Sequence, residues 1–160
     1  MNKLSAFLWF DNQAEEAADF YCSVFKDAKK GAVARFPEGT AGRAGSVMTA
    51  DFELMGMSFV ALNGGPHFRF SEAVSFQIHC KDQAEVDYYW DRLTEGGEPS
   101  QCGWLKDKFG LSWQVTPKAL TRLASSSDKA KAGRVMAAMM KQRKIIIAEL
   151  EAAAREPASP

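Results

Sequence analysis

The chain has 160 residues, 46% hydrophobic and 25% charged, which suits one ordinary globular domain or two half-domains sharing a core. Lys+Arg and Asp+Glu each total 20, so the charge balance points to neither nucleic acid nor an anionic membrane as a partner. Cys22, Cys80 and Cys102 cannot all pair with one another and share no metal-ligand spacing, so they read as reduced thiols of a cytoplasmic protein. No apolar run spans a bilayer, and MNKLSAFLWFD turns acidic before a signal-peptide core develops.

Leu4–Phe10 alternates as a strand, with Ala6, Leu8 and Phe10 on one face and Ser5, Phe7 and Trp9 on the other. Asn12 is expected to cap a helix, with Glu15 as its capping-box partner. Ala14, Ala17, Ala18, Tyr21 and Phe25 then recur at helical spacing. A short strand follows at Ala32–Phe36, and Gly39, Gly42 and Gly45 mark a loop. Ser46–Leu54 and Met57–Asn63 read as strands joined at Gly56, and Asn63-Gly64-Gly65-Pro66 is strong turn chemistry.

The order then repeats. Gln13-Ala14-Glu15 returns as Gln83-Ala84-Glu85, an offset of 83 − 13 = 70. Val74–Cys80 is the matching strand, with Ser75, Gln77 and His79 on the face opposite Val74, Phe76, Ile78 and Cys80. Asp82 and Glu85 form a capping box for a helix whose stripe is Val86, Tyr89, Trp90 and Leu93, stopped at Gly96-Gly97. Strands are expected at Pro99–Leu105 and Leu111–Thr116, with a turn at Asp107–Gly110 in which Lys106 and Asp107 are solvated. From Asp128 to about Ala154 the pattern predicts one helix, with Val135, Met136, Met139, Met140, Ile146, Ile147 and Leu150 as an apolar stripe. The KQRK run at 141–144 reads as its solvated face.

The fold class is therefore α+β: paired βαβββ modules forming a cupped mixed sheet, plus a C-terminal helix. The expected boundaries are 1–66 and 67–117 for the modules, 118–155 for the helical extension and 156–160 for a flexible tail. In each module the helix covers the apolar strand face and leaves a mixed, partly aromatic face, so pairing the modules is expected to enclose a small-molecule site.

The doubled pattern, with "FLWFDNQAEEAADFYCSVF", "LNGGPHFRFSEAVSF" and "CGWLKDKFGLSWQV", resembles the PhnB-like, demethylubiquinone methyltransferase-like branch of the glyoxalase/bleomycin-resistance/dioxygenase superfamily. The resemblance implies a divalent-metal site held by His, Gln or Glu from four strands. At those positions this chain offers Ser5, Asn63, Ser75 and Gln114, all neutral, so no metal and no other cofactor is expected. The methyltransferase label implies S-adenosylmethionine, yet Gly64-Gly65 is followed by Pro66 and no helical pattern.

The expected ligand-binding residues are Phe7, Trp9, Asn63, Ser75, Gln77, His79 and Gln114. Two functions compete. One is a metal-independent binding protein for a small, partly aromatic molecule. The other is an enzyme of unassigned reaction (lyase, isomerase or transferase) using His79 or Cys102. No catalytic residue is assigned from sequence. The resemblance and the apolar tail further imply a homodimer.

Overall fold

The computed structural model describes residues 2–156. The chain divides between Phe70 and Ser71 into two units. The first contains β1 (Ser5–Phe10), α1 (Ala14–Val24), β2 (Ala28–Arg35), β3 (Val47–Leu54) and β4 (Met57–Asn63). Its sheet runs β1-β4-β3-β2, with β1 parallel to β4 and the other pairs antiparallel.

An isolated helix of 11 residues is marginal in water. Packing supplies what α1 lacks: Ala14, Ala17, Ala18, Tyr21 and Val24 are buried, and Tyr21 lies against Phe52, which stacks on Phe59. Each such large apolar side chain contributes roughly 1.5–3 kcal/mol when fully buried. Leu8 and Phe10 join this layer from β1.

The start of α1 differs from the expectation. Gln13, not Asn12, occupies the cap position, and its side chain makes no capping bond. Asn63, at the end of β4, supplies the cap instead: its Oδ1 accepts from the Ala14 N–H at 2.8 Å, while its Nδ2 donates to the Val47 carbonyl at 3.0 Å. A parallel neighbour thus brings in a cap from 49 residues away, where local spacing pointed to Asn12. β2 also begins four residues earlier than expected, at Ala28, because pairing with β3 extends it.

The second unit repeats the plan with β5 (Ser75–Cys80), α2 (Gln83–Thr94), β6 (Glu98–Pro99), β7 (Trp104–Lys106) and β8 (Ser112–Pro117), in sheet order β5-β8-β7-β6. Asp82 caps α2 as expected, accepting from the Glu85 N–H at 2.9 Å. Val86, Tyr89, Trp90 and Leu93 are the buried stripe. The strand expected at Pro99–Leu105 is interrupted. Cys102 (φ 59°) and Gly103 (φ 84°) turn the chain through the left-handed region, and their N–H groups donate to the carbonyls of Gln142 and Arg143, both at 2.8 Å.

The C-terminal region departs most from its sequence pattern. It is three helices: α3 (Lys118–Ala124), which was not expected, α4 (Lys129–Met139) and α5 (Ile147–Arg155). The expected single helix breaks over residues 140–146. Ile145 there is fully buried with Leu120, Leu123, Val135 and Leu150. Gln142, 7% exposed, accepts from the Ile146 N–H and donates to the Glu149 carboxylate. Burying Ile145 between the helices outweighs continuing one of them, and the side chain of Gln142 satisfies backbone that the break releases. The KQRK run is therefore not a helix face. Its two central residues supply the carbonyls that hold the Cys102 turn. Of the tail expected at 156–160, residues 157–160 lie outside the described residues.

The doubled Gln-Ala-Glu has a different use in each copy. Gln13 makes no capping bond. Gln83 clamps the second unit: its Nε2 donates to Asp87 (2.9 Å) and the Ile145 carbonyl (3.0 Å), and its Oε1 accepts from the Ile147 N–H (2.8 Å). It ties the first turn of α2 to the entry of α5.

Candidate functional site

Strand register sorts the expected site residues by face. In the first sheet Ser5, Phe7 and Trp9 lie opposite Ser58, Val60 and Leu62, which in turn pair with Glu53, Asp51 and Thr49. This is the face away from α1. Phe7 is 60% exposed on it, and Trp9 is half-buried. In the second sheet Ser75, Gln77 and His79 pair with Ser112, Gln114 and Thr116. Gln77 and His79 are exposed there. Two diagonal bonds knit the row: Gln77 Nε2 donates to Thr116 Oγ1 at 3.1 Å, and Gln114 Nε2 donates to Ser75 Oγ at 2.9 Å.

Asn63 does not belong with these. It pairs with Phe10, a buried residue, and its amide is engaged on the α1 side with Ala14 and Val47. The position in β4 that corresponds in register to Gln114 is Val60, since Phe7 pairs with Val60 as Gln77 pairs with Gln114.

The Asn63-Gly64-Gly65-Pro66 turn is shaped around Trp9. The indole Nε1 donates to the Gly65 carbonyl at 2.8 Å. A Cβ on Gly64 would sit 2.3 Å from the indole ring, so only glycine lets the backbone approach this closely. The ring also meets Phe68 edge-to-face, centroids 4.8 Å apart, and Phe68 is 65% exposed. Trp9 is thus held by the turn and presents part of its ring to solvent.

The turn at Asp107–Gly110 also differs from expectation. Lys106 pairs with Glu72 and is half-buried, but Asp107 is only 3% exposed. Its Oδ1 accepts from the N–H groups of Phe109 (2.9 Å) and Leu111 (3.1 Å), and its Oδ2 accepts from the indole Nε1 of Trp113 (2.8 Å). The "KDKFGLSW" stretch is a buried hydrogen-bond hub for β7 and β8 and not a solvated pair. Trp113, 2% exposed, lies on the helix side of its strand, opposite in parity to Gln114.

The thiols divide by environment. Burial, aided by the nearby charges of Glu85 and Asp82, pushes Cys80 up to about 12. Burial also raises Cys22, against the opposing pull of Lys30. Cys102 Sγ lies 3.7 Å from Met140 Sδ. No described group of three or more His, Cys, Asp or Glu side chains is arranged to hold a metal ion.

The donors at the positions implied for a metal are hydroxyls and amides. Ser75 and Gln114 bond to each other, and Asn63 is spent on backbone. Such a set does not fit a catalytic divalent cation. Nor do the residues fit S-adenosylmethionine in the usual strand–Gly-turn–helix manner: Gly64 is accounted for by Trp9, and turn and coil follow β4.

The profile of the family described as "3-demethylubiquinone-9 3-methyltransferase" matches residues 2–116. Among solved structures, the chain is similar to a Bacillus cereus PhnB protein titled "Putative 3-demethylubiquinone-9 3-methyltransferase". The identity is 32% and the TM-score 0.66, over 72% of this chain and 99% of that one. A Pseudomonas aeruginosa protein shares the fold at 18% identity and TM-score 0.56, over 73% of this chain and 98% of that one. So does a fosfomycin resistance protein of Listeria monocytogenes, at 18% identity and TM-score 0.50, over 72% and 90%. No curated protein matches the chain. Among the described residues no helix is long and apolar enough to cross a membrane.

Proposed function

The chain belongs to the PhnB-like family of the glyoxalase/bleomycin-resistance superfamily, and from that premise we propose that it binds a small, partly aromatic molecule on its open sheet faces, without the superfamily's catalytic metal. The observation that carries this is the composition of those faces. Each sheet has one side sealed by its helix, yet Phe7, Gln77 and His79 stand exposed on the other. Exposed aromatic and amide-bearing side chains on such open sheet faces suit recognition of a ring with polar substituents. The proposed contacts are Phe7 and Trp9 in the first unit and Ser75, Gln77, His79 and Gln114 in the second. Asn63 is left out because its amide already has backbone partners.

A second reading, an enzyme with His79 as proton-transfer group, is favoured by the exposure of that imidazole on the same face. The test combines metal analysis with a ligand screen. Purified protein is expected to carry no stoichiometric Zn, Mn, Ni or Fe and to gain no stability when they are added; tight binding at a hundredfold excess over the dissociation constant would add about 2.7 kcal/mol. Aromatic hits are expected to bind less well to Gln77→Ala and Phe7→Ala, with both variants folded. Equimolar metal lost on His79→Ala would instead favour the enzyme.

We also propose a homodimer. Leu4 (86% exposed), Met55 (60%) and Met57 (44%) form an apolar margin beside β1, an outermost strand of its sheet. Of the tail stripe, Val135 and Met139 pack within their own unit, while Met136 (41% exposed) and Met140 (64%) stay open and still call for cover. Light scattering showing a stable monomer at micromolar concentration would remove it.

A further inference from the structure

The two sheets carry the same cross-strand row with its charges exchanged. In the first, Ser5, Ser58, Glu53 and Lys29 follow one another across β1, β4, β3 and β2. In the second, Ser75, Ser112, Lys106 and Glu98 follow across β5, β8, β7 and β6. The rows are completed differently. Ser58 Oγ accepts from the Asn2 N–H at 3.3 Å, and Lys29 reaches Glu53 at 4.0 Å. In the second row Lys106 turns to Glu72, in the segment leading into β5.

Ser112 is then left alone. It is 1% exposed, and its Oγ has no hydrogen-bond partner among the described residues. A buried hydroxyl without a partner is unfavourable, and Ser112 is one of the residues around a cavity of about 210 Å³. Glu72, Glu98, Trp104 and Lys106 line the same cavity.

We propose that this cavity binds a small organic ammonium, with Ser112 Oγ accepting one of its N–H groups, Glu98 balancing its charge and Trp104 packing against its carbon skeleton. The reading of the open face as a ligand surface underlies this and is given a chemical class by it. Two carboxylates against one ammonium leave the lining net negative. The Lys106 charge is already committed to Glu72. An anionic ligand would have to break that pair and then sit beside both carboxylates, whereas a cation meets neither obstacle and gains from an indole face. The cavity lies below the usual 300–1,000 Å³ range of drug-sized sites, which limits the ligand to a compact amine.

The test uses two probes with the same ring and opposite charge, phenethylammonium and phenylacetate. Each is titrated into ¹⁵N-labelled full-length protein to roughly 20 mM, which detects millimolar affinity. Phenethylammonium is expected to shift the Trp104 indole N–H and the Ser112 amide to saturation, and phenylacetate to leave both in place. Glu98→Gln and Ser112→Ala should each weaken the ammonium about three- to tenfold, the value of one hydrogen bond or screened charge pair. Ser112→Ala should leave the thermal midpoint of the ligand-free protein unchanged or higher, since it removes an unpartnered group. A serine with a purely structural role would lower it.

Tighter binding of phenylacetate, or unchanged ammonium affinity in both variants, would overturn the proposal. Shifts at Gln77 and His79 without shifts at Trp104 and Ser112 would also overturn it, while leaving the broader binding function standing. Silence of every open-face amide toward both probes and the aromatic screen would remove both.

Discussion

Gly64→Ala drives a methyl group into the Trp9 indole. The new Cβ would lie 2.3 Å from two ring carbons and 2.7 Å from a third, and no carbon contact tolerates that distance. Gly64 is not among the glycines with positive φ, so the backbone itself accepts alanine and the conflict is with the ring alone. Relief requires the indole to move, and with it the 2.8 Å bond from Nε1 to the Gly65 carbonyl. Overpacking of this kind costs about 1–3 kcal/mol, and the hydrogen bond adds about 1 kcal/mol. Against this, alanine stiffens the unfolded chain and returns about 0.4–1 kcal/mol. The net expectation is a loss of about 1–3.5 kcal/mol, read by urea unfolding followed by far-ultraviolet circular dichroism. The same change in a Trp9→Ala background should cost less than about 0.5 kcal/mol, because its obstacle is gone. An equal cost in both backgrounds, or a wild-type midpoint for Gly64→Ala alone, would refute the claim that this turn is built around Trp9.

Asp107→Ala removes the acceptor for three donors, of which Leu111 and Trp113 are buried, and should cost at least about 3 kcal/mol, with Asp107→Asn milder, in the same urea assay. Gln83→Ala releases the joint between α2 and α5; hydrogen exchange should quicken at Ile147 and along α5 while β1–β4 keep their protection. Cys80, raised from 9.0 to about 12, binds its proton more tightly folded than unfolded, so stability should fall as pH rises from about 9 toward 12, and Cys80→Ala should flatten that limb in pH-dependent urea melts. The same burial should leave Cys80 unlabelled by a thiol reagent at pH 8 until denaturant is added.

Period and turn chemistry carried much of the fold. Alternation placed β1, β3, β4, β5 and β8 to within a residue or so at each end, because one face of each strand is sealed and the other is not. Helical spacing found α1 and α2, and the Asp82 cap held because its whole hydrogen-bond circuit lies within four residues. Parity also put Phe7, Trp9, Ser75, Gln77, His79 and Gln114 on the faces away from the helices. It could not treat Asn63 the same way. That residue follows the alternation to the α1 side, where a helix end 49 residues distant claims its amide.

What the chain alone left open depends on which groups the packed structure brings together. Asp107 reads as a surface charge until the Trp113 indole and two backbone N–H groups converge on it. The stripe after Asp128 reads as one helix because periodicity registers only that apolar groups recur. Whether they meet one surface or fold back on each other is decided by Leu120 and Leu123 of the unforeseen α3, which give Ile145 a place to be buried and so break the helix. The unpartnered hydroxyl of Ser112 is visible only when β7 and β8 lie side by side and Lys106 turns to Glu72 instead. Local periodicity fixes which way a side chain faces; only the packed structure decides what it meets there.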